Sequence, residues 1–151
     1  MKNEPDPLHA KLALMEAKAR YCRMLDTKDW AGYSNLLTED FVLDVTEGTQ
    51  VPLIKGRAAA VKQIQSSILT ARTVHQVHCP EIELNGDEAH VVWALQDRVI
   101  WSADRPSITG YGHYHERWVR REDGWKMASL RLTRLHIDVH PPVPAKGAVS
   151  S

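Results

Sequence analysis

The stretch AHVVWALQDRVIW, Ala89 to Trp101, carries an apolar side chain at nearly every second position. Period two is the repeat of a β-strand, so Ala89, Val91, Trp93, Leu95, Asp97, Val99 and Trp101 share one face. Asn85-Gly86-Asp87 just before it has the chemistry of a tight hairpin, which makes Thr73 to Leu84 the antiparallel neighbour, interrupted at Pro80. Downstream, Ile108 to Arg121 alternates in the same way, Glu122-Asp123-Gly124 turns the chain, and Trp125 to Ile137 completes the series.

The N-terminal half has a different repeat. Leu8, Leu12, Met15, Ala19 and Cys22 follow steps of 4, 3, 4 and 3, an amphipathic helical stripe that continues onto Asp26. A second, short helix is expected over Thr27 to Thr38, a strand at Phe41 to Val45, and a third helix from Arg57 to Leu69. Three helices followed by four consecutive strands predict an α+β domain over residues 8 to 140, with one curved, mainly antiparallel sheet and flexible termini at 1 to 7 and 141 to 151.

Nineteen Lys and Arg balance nineteen Asp and Glu, so the broad positive field of a nucleic-acid binder is not expected. No apolar run reaches the roughly 18 residues of a membrane-spanning helix, and no apolar leader follows the polar first residues. The two cysteines, Cys22 and Cys79, lack metal-type spacing and fit a reducing, cytoplasmic setting. Eight histidines direct attention to a group that titrates near neutrality.

Four local features point to chemistry. Asp26 extends an apolar stripe, either as its solvent-facing stop or as a buried acid. His75 is in phase with Thr73 and Val77 and out of phase with His78, so only one of the two histidines faces the core. An inward His75 could meet Asp26, giving an imidazole whose tautomer and basicity are set by a carboxylate. Asp97 is the sole polar residue on its face and is desolvated there, unless a bulge turns it out toward Arg98 or Arg117. Arg134 ends the row Ala128, Leu130, Leu132 and is placed either to stabilise negative charge or to form a surface ion pair.

His113 and His115 have the spacing of two metal ligands on a strand, but no third ligand is in phase, so no metal or cofactor is expected. There is no G-x-S-x-G motif, and Gly110-Tyr111-Gly112 is not set between a strand and a helix as a phosphate loop requires. His9, His90, His136 and His140 are expected at the surface or in the tail.

The helical text ARYCRMLDTKDW, Ala19 to Trp30, resembles the opening of SnoaL-like proteins of the nuclear-transport-factor-2-like superfamily. Arg72-Thr73-Val74-His75 and Asp123 to Ala128, DGWKMA, are similar to later segments of that family, and the resemblance covers roughly residues 8 to 138. It is nearest to the branch of scytalone dehydratase, bile-acid 7α-dehydratase and hexachlorocyclohexane dehydrochlorinase. The resemblance implies a cone-shaped barrel, a sheet bent around a long helix, a deep apolar pocket and a homo-oligomer, a trimer rather than a dimer.

By resemblance, Asp26 and His75 match that branch's proton-abstracting pair, Tyr21 the tyrosine that polarises a substrate carbonyl, and Asp97 an additional pocket acid. Arg134 matches a pocket arginine, with Arg131 as the competing choice. Leu25 stands where scytalone dehydratase has a tyrosine, which points away from scytalone as substrate. Tyr21 and Asp26 lie about 140° apart on an ideal helix, so both line one pocket only if the helix wedges into it.

The function implied is a cofactor-independent lyase or isomerase, of dehydratase type, acting on a small hydrophobic ring substrate. The alternatives are a non-catalytic hydrophobic-ligand or assembly module, such as an aromatic-ring hydroxylase small subunit, and a polyketide cyclase or epoxide hydrolase. The non-catalytic module predicts that His75 and Asp26 are apart and that side chains fill the interior.

Overall fold

A computed structural model describes residues 6–143. Helix α1 spans Pro7–Thr27; the Asp6 carboxylate accepts from the Leu8 amide and proline occupies the first turn, where its missing N–H costs nothing. Lys28 ends the helix in the left-handed conformation, φ 61°, its N–H returning to Met24 and Leu25 carbonyls. The expected second helix shrinks to α2, Trp30–Asn35, because Leu37 already pairs with Met127 in the sheet. Strands β1, Leu37–Asp44, and the unpredicted two-residue β2, Ile54–Lys55, precede α3, Arg57–Ile68.

The four long strands are β3, Arg72–Asn85, β4, Glu88–Ile100, β5, Ser107–Arg121, and β6, Gly124–His140. The sheet order is β2-β1-β6-β5-β4-β3, antiparallel throughout except where β1 runs parallel to β6. It is curved and not closed on itself, an α+β fold with N-terminal helices against one sheet. Terminal segments 1–5 and 144–151, part of those expected to be flexible, lie outside the described residues; no described helix is long and apolar enough to cross a membrane.

Helix α1 corrects the predicted stripe. Leu8, Leu12 and Met15 are 73, 53 and 44% exposed, while the buried face is Ala10, Leu14, Ala17, Lys18, Tyr21, Cys22 and Leu25. Both rows have helical spacing, but the buried one carries alanines, a lysine and a tyrosine, so hydrophobicity alone selects the outer face. The inner row packs on Phe41, Leu43, Trp93, Trp118, Met127 and Leu130.

In β3 the inward residues are Thr73, His75 and Val77 before Pro80 and Ile82 and Leu84 after it. That change from odd to even is a bulge: register with β4 shifts between His78 and Glu81, and Cys79 has φ 47°. Pro80, lacking an N–H, is tolerated because β3 is an edge strand.

Candidate functional site

The C-terminal end of α1 brings Asp26 against the start of β3. The His75 ring Nδ1 lies 2.6 Å from Asp26 Oδ1, and the His75 backbone N–H donates to Oδ2 at 2.9 Å. The Thr73 hydroxyl donates to Oδ1 at 2.9 Å, and Lys28 Nζ donates to that hydroxyl oxygen at 3.0 Å. A carboxylate can only accept, so it holds the imidazole with Nδ1–H toward Asp26 and leaves Nε2 as the basic nitrogen. Burial opposes the charge on Asp26, yet the hydrogen bonds from the His75 ring and backbone, the His75 charge and the Thr73 hydroxyl outweigh it and bring the carboxyl below its ordinary range. The two side chains are 9% and 23% exposed, shielded but not sealed.

A second ionic pair lies one strand further in. His75 is opposite Asp97 in the β3–β4 register, and Asp97 is opposite Gly110 across β4–β5. Arg134 of β6 reaches over Gly110 to hold Asp97 in a two-pronged pair, Nη1 to Oδ1 at 2.5 Å and Nη2 to Oδ2 at 2.9 Å. A Cβ at position 110 would overlap both the guanidinium and the carboxylate, which explains the glycine. Asp97 is buried on the apolar face of β4, and its partner is Arg134 rather than Arg98 or Arg117. Arg98 is engaged instead with the Ile108 carbonyl, and Arg117 with Glu88. Burial works against charge on Arg134, but the hydrogen bonds and charge of Asp97 outweigh it and raise its pKa. Arg131 is exposed, so Arg134 is the arginine that lines the interior.

Between these pairs is a cavity of about 210 Å³. Its polar lining includes His75, Tyr21, Asp97 and Arg134, Leu25, Leu43, Leu130 and Leu132 supply apolar walls, and α3 closes one side with Gln63, Ile64, Ser67 and Ile68. The Trp101 indole donates to the Ser67 carbonyl at 3.1 Å and ties α3 to the end of β4. Asp26 is not part of the lining; it approaches His75 from behind while Tyr21 faces the cavity. The wedge needed to seat both on one wall is therefore unnecessary. Burial, followed by the neighbouring Tyr33 and Tyr114 and by Glu116, raises the Tyr21 hydroxyl well above an ordinary phenol, so it stays protonated and can donate.

His78, His113 and His115 do not join the site. His78 is exposed, and His113 and His115 sit on the other face of β5 from the cavity-lining Tyr114, where His115 Nε2 is 3.0 Å from the Thr133 hydroxyl. Burial, aided by the positive Arg131 and by His113, lowers the His115 pKa. His140, expected in the tail, is half-buried, 2.8 Å from the Thr109 hydroxyl. Among the described residues no group of three or more His, Cys, Asp or Glu side chains is placed to hold a metal.

Sequence reasoning missed the supports. Thr73 and Lys28 brace Asp26, Tyr114 joins Tyr21 in the lining, and Lys18 and Glu116 form a fully buried ion pair behind the tyrosines. Glu116 had a legible signal: it is in phase with Tyr114 and Trp118 on β5, a lone acid on an inward face.

Residues 6–131 match the protein family described as SnoaL-like domain. A curated relative named probable cyclase FGR4, from Gibberella zeae, is 26% identical over 138 residues, covering 84% of this chain and 92% of that protein. The crystal structure of Kfla4162 from Kribbella flavida superposes with a TM-score of 0.82 at 18% identity, over 88% of this chain and 95% of that one. The hexachlorocyclohexane dehydrochlorinase LinA-type3 of Novosphingobium barchaimii LL02 superposes with a TM-score of 0.76 at 14% identity, over 87% and 90%. At such identities the structural matches speak for the fold.

Proposed function

The chain belongs to the SnoaL-like domain family, and on that premise we propose that it is a cofactor-independent enzyme that removes a proton next to a carbonyl of a small hydrophobic ring substrate and then eliminates a leaving group. The observation that carries this reading is the His75–Asp26 pair, 2.6 Å apart, at the wall of a largely apolar cavity. His75 Nε2 takes the α-proton, and the Nδ1–H bond to Asp26 stabilises the imidazolium that results. Tyr21 donates to the oxygen on which enolate charge develops. The enolate then expels a β-hydroxyl: the C–O bond breaks, a C=C bond forms, and the imidazolium proton passes to the departing oxygen as water. Asp97 is committed to Arg134, so the pair acts as one unit, with Arg134 N–H groups free of Asp97 available to the departing oxygen.

A polyketide-type cyclase shares the first half of this sequence, and the curated relative named as a probable cyclase favours keeping it as the second reading. In that case the enolate carbon attacks a second carbonyl, whose C=O π bond opens to an alkoxide that takes the imidazolium proton, and a ring closes. The two differ in product, not in the proton-abstracting residues.

The test uses 3-hydroxy-1-tetralone, a bicyclic β-hydroxyketone whose loss of water yields fluorescent 1-naphthol. Accelerated appearance of 1-naphthol, together with α-deuteration of 1-tetralone in D2O, is expected, and both are to disappear in a folded His75→Ala variant. A wild-type protein that accelerates neither reaction overturns the reading. Deuteration without water loss supports the cyclase alternative.

A further inference from the structure

Lys18 and Glu116 are fully buried and bonded to each other. The second oxygen of Glu116 accepts two indole N–H groups, from Trp93 at 3.0 Å and Trp118 at 2.8 Å. Relative to packed apolar residues, a sealed ion pair commonly contributes no net stability, so folding alone does not account for it. Its position does. Lys18 Nζ lies 3.7 Å from the centroid of the Tyr21 ring and 4.1 Å from that of Tyr114, and both rings line the cavity.

We propose that Lys18, locked in place by Glu116 and the two tryptophans, is a positioning residue for oxyanion recognition: it fixes the Tyr21 and Tyr114 rings and strengthens the Tyr21 hydroxyl as a donor to a negatively charged oxygen in the cavity. A cation against a ring face is attracted to the π-electrons and draws density away from the phenol oxygen, making its O–H a better donor. The ammonium is sealed from solvent, so its field on the two rings is little screened. Glu116 acts on the Tyr21 hydroxyl in the opposite sense, and its charge is taken up by Lys18 on one oxygen and by the two indoles on the other. The ligand class that follows is planar enolate or phenolate oxygen on an apolar frame. This rests on the enolate-forming reading above and adds the residue that tunes its oxyanion contact.

The experiment compares binding of 4-nitrophenolate, above that compound's own pKa, with binding of neutral 4-nitroanisole. Removing Lys18 alone strands a buried carboxylate, so the variant is Lys18→Met/Glu116→Gln, in which the amide oxygen still accepts from both indoles; Lys18→Gln/Glu116→Gln is the substitute if the first fails to fold. The expected result is a loss of about tenfold in 4-nitrophenolate affinity with 4-nitroanisole within about twofold. For α-deuteration of 1-tetralone, kcat falls by about tenfold while KM stays within about twofold. A folded double variant that binds both probes as wild type does overturns the proposal, as does a wild-type protein that binds 4-nitrophenolate no better than 4-nitroanisole. The binding arm needs no turnover, so failure of the enolate-forming reading in the His75→Ala assay is separable from failure of this one.

Discussion

Helix α1 contributes one member to each of two acid–base pairs, and the pairs differ in access. Asp26, at its C-terminal end, meets His75 of β3 where both side chains keep partial exposure. Lys18, eight residues earlier, meets Glu116 of β5 with neither side chain reached by solvent. The first pair leaves a ring nitrogen unclaimed by Asp26 beside the cavity; the second spends its ammonium on a carboxylate and two ring faces. A proton-transfer group must exchange protons with substrate, whereas a fixed charge is most effective where water cannot screen it. The difference predicts that breaking the sealed pair harms folding first, and breaking the open pair harms chemistry first.

The largest expected effect on stability comes from Lys18→Met alone. It leaves Glu116 charged and unpaired in the core, and a loss of about 3 to 5 kcal/mol in chemical denaturation is expected. A loss under about 1 kcal/mol would erase the contrast between the pairs. Gly110→Ala comes next, because the added methyl strikes Asp97 and Arg134. A cost of about 1 to 3 kcal/mol follows, together with weaker binding of 3-hydroxy-1-tetralone, read by denaturation and by KM.

Asp26→Asn has the smallest effect on folding and a pH signature. The folded-state pKa of Asp26 is lowered, so its contribution to stability is complete above its unfolded value and is lost as pH falls through the folded one. Denaturation at neutral pH should therefore separate wild type from Asp26→Asn, and the gap should close as the solution is taken below the ordinary carboxylate range. A gap that persists unchanged in acid would mean that the carboxylate charge is not what binds the His75 ring.

The sheet was legible because its strands alternate cleanly: the inward phase of β4 named Asp97 as the odd member, and the phase of β3 separated His75 from His78. The meeting of His75 with Asp26 followed from the helix corner and from the family resemblance. Three things were not legible. On α1 the row of Leu8, Leu12 and Met15 reads as the apolar stripe, and of that stripe Cys22 is buried, because Lys18 and Tyr21 are inward while Leu8 and Leu12 are outward. Asp97 found Arg134 because β5 offers a glycine between them, a relation across three strands that no single strand displays. Strand β2 has only two residues, too few for any periodicity.

The central claim is that His75, oriented by Asp26, takes a carbon-bound proton. The measurement that meets it most directly is the initial rate of α-deuteration of 1-tetralone in D2O, followed by proton NMR, for wild type and for a folded His75→Ala variant. The account predicts a fall of about 100-fold or more, to the solution background. A His75→Ala protein that exchanges the proton at close to the wild-type rate would contradict it.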